Sequence, residues 1–249
     1  TLSPVTGCTK VSPGCAHCYA ERITKRFGGK PFLPGKAEIK IHPERLEQPL
    51  RWRRPRMVFV CSMGDLFHGE VPFTAVRRVW NTMALAEQHT FQVLTKRPER
   101  MRAFLADRDT QELVSVWQRV WESSGKKWVW PLPNVWLGVS VENQRWAEAR
   151  IPLLLETPAA VRFVSCELLL GSLDLTRWLK PLVYSSDGVT RSYVWPPLDW
   201  VICGGESLGP PQRAMRLEWA RAVHDQCQDD DVPYFFKQHG GGKKVDGTW

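Results

Sequence analysis

The chain has 249 residues, of which 43% are hydrophobic, and its formal net charge at pH 7 is +8. This length and apolar content are enough for a sizeable core, in one large α/β domain or in two smaller ones. No apolar run approaches the length of a membrane span, and the N-terminus lacks a secretory pattern. These features exclude a membrane protein, and we expect a cytoplasmic one.

The first feature along the chain is a loop rich in cysteine. Three of the seven cysteines, Cys8, Cys15 and Cys18, lie in the segment GCTKVSPGCAHCYAER at residues 7–22, with the spacing C-x6-C-x2-C. An odd number of cysteines makes a poor disulfide framework, so reduced thiols with metal or redox roles are expected. Three thiolates on one loop can hold three irons of a 4Fe-4S cluster and leave the fourth iron open. A structural zinc site needs a fourth protein ligand, which Cys61 could supply, and zinc therefore stays an alternative.

A basic segment follows at residues 51–56, with the sequence RWRRPR. Here Arg51, Arg53 and Arg54 flank Trp52, a combination that can hold phosphates and stack on a base. With an isoelectric point near 9.3 for the whole chain, this segment favours a nucleic-acid partner. The alternative is a solvated connection before a strand, with Trp52 packed beneath it.

Short apolar runs, most of them followed by a helical pattern, recur along the rest of the chain. Because these runs are apolar nearly throughout, they predict parallel strands that are covered on both faces. The predicted strands lie at residues 57–62, 91–95, 134–140, 161–166, 199–205 and 232–237. With the opening segment counted as a first strand, the pattern predicts an α/β fold, a partial (β/α) TIM-type barrel of six to seven parallel strands. A doubly wound open sheet is the alternative.

Amphipathic stripes predict the helices that cover this sheet. One stripe joins Ala20, Ile23 and Phe27, and another runs from Val76 to Met83 after Thr74 as the N-cap. No linker divides the chain, so residues 1–249 are expected to form a single domain. Residues 176–197 lack a helical stripe and predict a hairpin-like excursion.

Polar residues follow the predicted strands at the ends where a parallel barrel places its catalytic groups. One acid at such a position could cap a helix, but the repetition favours a shared polar mouth. The residues are Ser62, Gly64, Asp65, Lys96, Ser140, Glu142, Glu167, Glu206, Lys237 and Gln238.

These blocks together resemble the radical S-adenosylmethionine superfamily. Within it the chain is similar to a bacterial and phage-encoded family of unassigned activity, and more distantly to spore photoproduct lyase. The resemblance rests on the cysteine loop and on FVCSMGDLFH (59–68), VLTKRPERM (93–101), WLGVSVE (136–142), RFVSCELLLG (162–171), DWVICGGES (199–207) and FFKQ (235–238). Two departures are a first spacer of six residues instead of three, and His17 where an aromatic residue usually precedes the last cysteine.

The resemblance implies a radical enzyme with a 4Fe-4S cluster and S-adenosyl-L-methionine as cofactors. Reductive cleavage of S-adenosylmethionine would give a 5′-deoxyadenosyl radical that abstracts hydrogen from the substrate. A reductant protein, such as a flavodoxin or ferredoxin, is the expected electron donor. The substrate implied by the basic charge and the phage link is a nucleobase or a nucleic acid, which the enzyme would modify or repair.

The resemblance also assigns roles to residues. Cys8, Cys15 and Cys18 are the expected cluster ligands. The expected cofactor contacts are His17, Ser62, Gly64, Asp65, Ser140, Glu142 and Glu206. Cys166, Lys96 and Glu167 are expected to be catalytic, with Cys166 returning a hydrogen atom to the substrate; alternatively, Cys166 is a small hydrophobic core residue.

Two other functions remain open from the sequence. One is a radical S-adenosylmethionine enzyme that acts on a small metabolite or a peptide. The other is a zinc-stabilised nucleic-acid-binding protein without catalysis.

Overall fold

The structure is a computed structural model that describes residues 1–125, 129–185, 192–207, 213–240 and 243–244. Within these residues no helix is both long enough and apolar enough to cross a membrane. The helices are α1 (Tyr19–Arg26), α2 (Gln48–Arg51), α3 (Phe73–Leu85), α4 (Pro98–Ala106), α5 (Arg108–Ser123), α6 (Gln144–Leu155), α7 (Thr176–Leu179) and α8 (Leu217–Asp229). The strands are β1 (Val5–Thr6), β2 (Lys40–Ile41), β3 (Met57–Val60), β4 (Thr90–Thr95), β5 (Val135–Ser140), β6 (Val161–Glu167), β7 (Leu182–Ser185), β8 (Ser192–Trp195), β9 (Trp200–Gly204), β10 (Tyr234–Gly240) and β11 (Lys243–Lys244).

The main sheet confirms the predicted fold class. Its strand order is β3-β4-β5-β6-β9-β10, with β11 added antiparallel to β10 at one edge. The pairs β3–β4, β6–β9 and β9–β10 are parallel, and helices connect most successive strands of the sheet. The fold is therefore α/β, a partial TIM-type barrel built on six parallel strands.

The chain divides into two compact units, which we describe one at a time. The first comprises Thr1–Lys10, Ala20–Leu137 and Thr157–Ala160. Its core lies between the β3–β4 pair and α3, whose residues Val76, Val79, Trp80 and Met83 are buried as the stripe predicts. Phe104 of α4 packs against Trp80, with ring centroids 5.1 Å apart. Burial of these large apolar side chains is the main stabilising contribution in this unit.

The second unit comprises Val11–Tyr19, Gly138–Glu156 and Val161–Trp249. Strands β6, β9 and β10 lie side by side, and α8 buries Ala220, Val223 and Cys227. A side chain at Gly138 of β5 would lie 2.5 Å from the ring of Phe163. The small residue therefore lets the Phe163 ring lie directly against the β5 backbone.

Some local predictions were confirmed and others were wrong. The predicted excursion at residues 176–197 contains an antiparallel hairpin of β7 and β8, but it begins with the short helix α7, which the sequence pattern did not predict; residues 186–191 lie outside the described part. The opening segment does not join the main sheet: β1 pairs antiparallel with β2, and only two isolated parallel bridges link the segment to Val60 and Gly64. Thr74 is not the N-cap of α3, since the helix begins at Phe73 after Pro72. The prediction of one domain is not tested by the division into units.

The predicted buried stripe of α1 was wrong. Ala20 is buried, but Ile23 and Phe27 are 40% and 82% exposed. The helix turns Glu21 inward instead, where its carboxylate accepts hydrogen bonds from Lys10 Nζ (2.9 Å), Lys25 Nζ (3.1 Å) and the backbone N–H of Phe32 (3.1 Å). Burial alone would raise the pKa of Glu21, but these donors lower it. Two lysines and a backbone amide thus make an acid the inward-facing residue.

Gly7 provides a test of the first unit. Its φ is +86°, and a Cβ there would lie 2.0 Å from the Glu38 carbonyl oxygen, whereas Gly35 has φ +68° and open space around it. We expect Gly35→Ala to cost about 1 kcal/mol for the left-handed backbone alone. Gly7→Ala should cost about 1–3 kcal/mol more, because the backbone must move to make room for the Cβ. Urea unfolding of both variants measures the difference, and equal losses would contradict the packing at Gly7.

Candidate functional site

The three predicted cluster cysteines are free thiols, and each is half-buried. Cys8 follows the opening segment in the first unit. In the second unit, Cys15 ends a short 3₁₀ turn, Pro13–Cys15, and Cys18 directly precedes α1. Partial exposure leaves the sulfur atoms accessible to a ligand, in contrast to the four remaining cysteines, which are buried.

Cys8 lies beside a half-buried cation, Arg97. Arg97 Nη1 is 3.5 Å from the Cys8 sulfur, and Arg97 Nη2 donates to the Thr9 carbonyl (2.9 Å) and hydroxyl (3.0 Å). Burial would lower the pKa of Arg97, but the charges of Asp65 and Cys8 raise it, so the guanidinium stays charged. A positive hydrogen-bond donor next to the sulfur favours the thiolate, the form that binds metals.

Asp65 holds this arginine in place. The residue follows β3 and is only 6% exposed. Its Oδ1 accepts from the Phe67 N–H (3.0 Å) and the Thr95 hydroxyl (2.7 Å). Its Oδ2 accepts from the Lys96 N–H (3.1 Å) and from Arg97 Nη1 (3.0 Å). Four donors compensate the buried charge and join the carboxyl end of β3 to the carboxyl end of β4.

His68 completes this network. Its Nδ1 accepts from the Glu70 N–H (3.2 Å), so Nε2 carries the proton and donates to the Thr9 hydroxyl (2.8 Å). Burial, assisted by the charge of Arg97, lowers the pKa of His68 and keeps the ring neutral. Thr9 is thus bound from two sides.

Ser62 and Gly64 have structural contacts with the opening segment. The Ser62 hydroxyl lies 3.1 Å from that of Ser3. A Cβ on Gly64 would lie 2.8 Å from the Gly7 carbonyl oxygen, so only glycine allows this approach. Lys96 donates its backbone N–H to Asp65, and its side chain is half-buried.

In the second unit Glu142 holds the segment before Cys15. Glu142 is fully buried, and its Oε1 accepts from the Ser12 hydroxyl at 2.6 Å. A Cβ on Gly14 would lie 2.3 Å from the same oxygen. Arg150 Nη1 donates to Glu142 Oε2 (3.2 Å) and to the Ser140 carbonyl (2.6 Å). The positive guanidinium compensates the negative charge of the Glu142 carboxylate. The Ser12 hydroxyl is also 3.8 Å from the Cys15 sulfur.

Glu206 holds the same loop further along. His17 Nδ1 is 3.2 Å from Glu206 Oε2, and Arg213 binds Glu206 through its backbone N–H (2.9 Å) and through Nη2 (2.6 Å). Arg213 Nη1 also donates to the Pro13 carbonyl at 2.7 Å. Burial would raise the pKa of Glu206, but the hydrogen bonds from Arg213 and His17 lower it to about 2.

Glu167, the last residue of β6, forms an ion pair of 2.9 Å with Lys237 in the middle of β10. Lys237 is exposed and Glu167 is half-buried, so solvent reaches the pair. Gln238 is buried and donates to the Gly205 carbonyl at 2.9 Å. The parallel sheet brings Glu167, Lys237 and Gln238 close together. Because solvent screens the Glu167–Lys237 ion pair, its contribution to stability is small.

Cys166 lies in the core. It is fully buried next to Cys203 and Cys227, and burial raises its pKa well above the usual value for a thiol. Burial also raises the pKa of Cys203 to about 11 and that of Cys227 to about 12. Because Cys227 belongs to α8, this group of thiols lies on the sheet face that α8 covers, and these surroundings favour the interpretation of Cys166 as a small hydrophobic residue.

The basic segment is only partly available to a ligand. Arg51 pairs with Glu47, and Trp52 contacts the His89 ring at 5.6 Å and the Arg56 guanidinium at 5.0 Å. Arg53 and Arg54 are exposed, and in the described part of the chain neither has a carboxylate partner. The two arginines remain as candidate phosphate contacts.

The expected 4Fe-4S cluster requires sulfur ligands that are free and accessible. Among the described residues, no group of three or more His, Cys, Asp or Glu side chains is arranged to hold a metal ion. The chemistry of the cysteine loop nevertheless fits an iron–sulfur cluster, because its thiols are free and half-buried and Cys8 has a cationic hydrogen-bond donor beside it.

Comparison with protein families gives one result. A family model described as a protein of unknown function, DUF5131, matches residues 1–247. The chain belongs to the DUF5131 family. No curated protein and no solved structure matches it.

The residues that sequence reasoning missed in this DUF5131 protein are the partners of the acids. Arg97, Ser12, Arg150 and Arg213 each bind one of the three buried carboxylates. A weak signal existed for Arg97, which lies beside Lys96 in the polar turn after β4. Ser12 lies 130 positions from Glu142 in the sequence, and Arg213 lies outside any strand end, so spacing alone does not identify them.

Glu206 makes stability depend on pH. In the unfolded chain this carboxyl takes up a proton near its ordinary pKa of 4.5, whereas the folded state holds a pKa of about 2. The stabilisation is therefore present above pH 4.5 and is lost as the pH falls toward 2. We expect the urea midpoint of the wild type to fall more steeply over this range than that of Glu206→Gln.

The control is Glu218→Gln, which removes an exposed acid of α8 and should retain the wild-type pH dependence. Parallel curves for the wild type and Glu206→Gln would contradict the assigned ion pair.

Proposed function

We propose that the protein is a radical S-adenosylmethionine enzyme. The observation that carries the proposal is the C-x6-C-x2-C loop of three free, half-buried thiols, whose flanking residues are bound by carboxylates that follow parallel strands. In a (β/α) barrel the carboxyl ends of the strands are where active sites form. The resemblance to the superfamily adds the identity of the cofactors.

Cys8, Cys15 and Cys18 would hold a 4Fe-4S cluster as thiolates. Such a cluster would supply the one electron needed to cleave S-adenosyl-L-methionine reductively to methionine and a 5′-deoxyadenosyl radical, which would abstract hydrogen from the substrate. The protein contributes orientation and the exclusion of water. Arg97 places a positive donor at Cys8, whereas the Ser12 hydroxyl donates to Glu142 and can only accept a hydrogen bond from the Cys15 thiol.

The predicted cofactor contacts have protein partners that bear on their roles. Asp65, Glu142 and Glu206 are engaged by arginines, which supports a role in positioning the loop in addition to any contact with S-adenosylmethionine. Lys96 and Glu167 are half-buried at strand ends, which keeps them as candidates to face the substrate. The burial of Cys166 makes it the weakest of the proposed catalytic residues.

We infer a nucleobase or nucleic acid as the substrate and the cytoplasm as the compartment. The net charge of +8 and the exposed Arg53 and Arg54 support an anionic polymer. Reduced thiols and an oxygen-sensitive cluster suit a reducing compartment. The proposed electron donor is a flavodoxin or ferredoxin. The zinc alternative needs Cys61, whose burial raises its pKa and disfavours the ligating thiolate.

Replacing one ligand tests the proposed function. Anaerobically reconstituted wild-type protein should bind about four irons per chain, absorb near 400 nm and release 5′-deoxyadenosine with dithionite. Cys15→Ala removes one of three ligands, so it should lose most of the iron and all of the product. The control Cys227→Ala makes the same chemical change in the core and should retain both. Wild-type protein with one zinc per chain and no iron would refute the proposal.

Charge reversal at the basic segment tests the substrate class. If Arg53 and Arg54 contact phosphates, Arg53→Glu/Arg54→Glu should weaken retention on single-stranded DNA or RNA. It should also reduce the slope of log K against log salt by roughly 1 to 2. Arg108→Glu/Arg119→Glu on α5 makes the same change in net charge and serves as the control. Equal losses in the two variants would show a general charge effect, and no retention by the wild type would favour a small metabolite or peptide.

A further inference from the structure

The outer face of α1 is both apolar and basic. We define it by Arg22, Ile23, Arg26 and Phe27, all of which are exposed. Ile23 and Phe27 are four residues apart, so they form one stripe along the helix, and Arg22 and Arg26 form a second stripe beside it. An exposed side chain as apolar as Phe27, at 82%, is the type of surface that partner proteins cover.

This orientation of α1 is fixed by its inner face. Glu21 is bound by Lys10, Lys25 and the Phe32 backbone N–H. Rotating the helix to bury Ile23 and Phe27 would break these bonds and leave a charge without partners. The exposure of the two apolar residues is therefore a property of the folded unit.

The charge of this face selects the partner. In the part of the chain that the structure describes, neither Arg22 nor Arg26 has a carboxylate partner, and the one acid of α1, Glu21, faces inward. A complementary surface would have an apolar centre and acidic residues around it. The exposed aliphatic side chain of Ile23 beside Phe27 matches an apolar protein surface, and binding of a polynucleotide to the Phe27 ring is an outcome of the test below.

The position of this face along the chain suggests its purpose. α1 begins at Tyr19, directly after Cys18, and a rise of 1.5 Å per residue places Ile23 about 6 Å along the helix axis from Tyr19. Electron transfer requires a short distance between donor and acceptor. We propose that the outer face of α1 binds an acidic electron-donor protein of the flavodoxin or ferredoxin class. One electron passes from the reduced donor to the cluster, so the donor is oxidised and the cluster is reduced by one electron.

This inference rests on the proposed function and is tested with two electron sources. The variants are Ile23→Ser/Phe27→Ser and Arg22→Glu/Arg26→Glu, and 5′-deoxyadenosine formation is measured with reduced flavodoxin and, separately, with dithionite. Losing the contact should lower the flavodoxin-driven rate by roughly tenfold or more and weaken its salt dependence in the charge variant. The dithionite-driven rate should stay at the wild-type value, because a small reductant needs no docking surface.

Two matched controls remove the same properties elsewhere. Leu85→Ser removes an exposed apolar residue of α3, and Arg78→Glu/Arg119→Glu reverses two exposed charges on α3 and α5. Both control variants should keep the wild-type rates with flavodoxin and with dithionite. An unchanged flavodoxin-driven rate in the α1 variants would overturn the inference. It would also be overturned if these variants lost polynucleotide retention but kept the flavodoxin-driven rate. No product from the wild type with dithionite would instead refute the proposed function.

Discussion

Buried carboxylates hold the cysteine loop to residues that follow the strands. Asp65 fixes Arg97 against Cys8 and Thr9, Glu142 binds Ser12 before Cys15, and Glu206 binds His17 before Cys18. Burying a charge is costly unless it is paired, and each of these acids has an arginine as a partner. Removing either member leaves the other as an uncompensated charge. The loop conformation is therefore specified by the protein itself, within each unit, before any ligand binds.

This arrangement has a chemical consequence for the thiols. Residues that surround metal ligands commonly orient them and adjust their charge. Arg97 supplies a cationic donor to Cys8, whereas the core cysteines Cys166 and Cys203 have thiols whose pKa burial raises. The chain thus contains two populations of cysteine: three half-buried residues of the loop and four buried residues of the core. The proposed radical chemistry depends on the first population only.

Much of the fold was predictable from the sequence, because apolar runs at strand positions carry a strong signal. The six parallel strands lie within one to three residues of their predicted bounds, and the α3 stripe is buried as its spacing indicates. The acids at the strand ends were also predictable, since a parallel sheet gathers those positions. Their partners were not, because the hydrogen bond of Ser12 with Glu142 joins residues 130 positions apart and Arg213 lies outside any strand end. The face of α1 was predicted wrongly because hydrophobicity alone cannot show that Lys10 and Lys25 would stabilise Glu21 inside.

Amide hydrogen exchange in apo Glu142→Gln tests the central claim most directly. The substitution keeps the shape of the side chain but removes the charge that binds Ser12 and Arg150. If the carboxylate holds the loop, amides of residues 12–18 should exchange faster than in the wild type, while amides of β9 and α8 keep their protection. Unchanged exchange across residues 12–18 in a variant with wild-type unfolding behaviour would contradict the account.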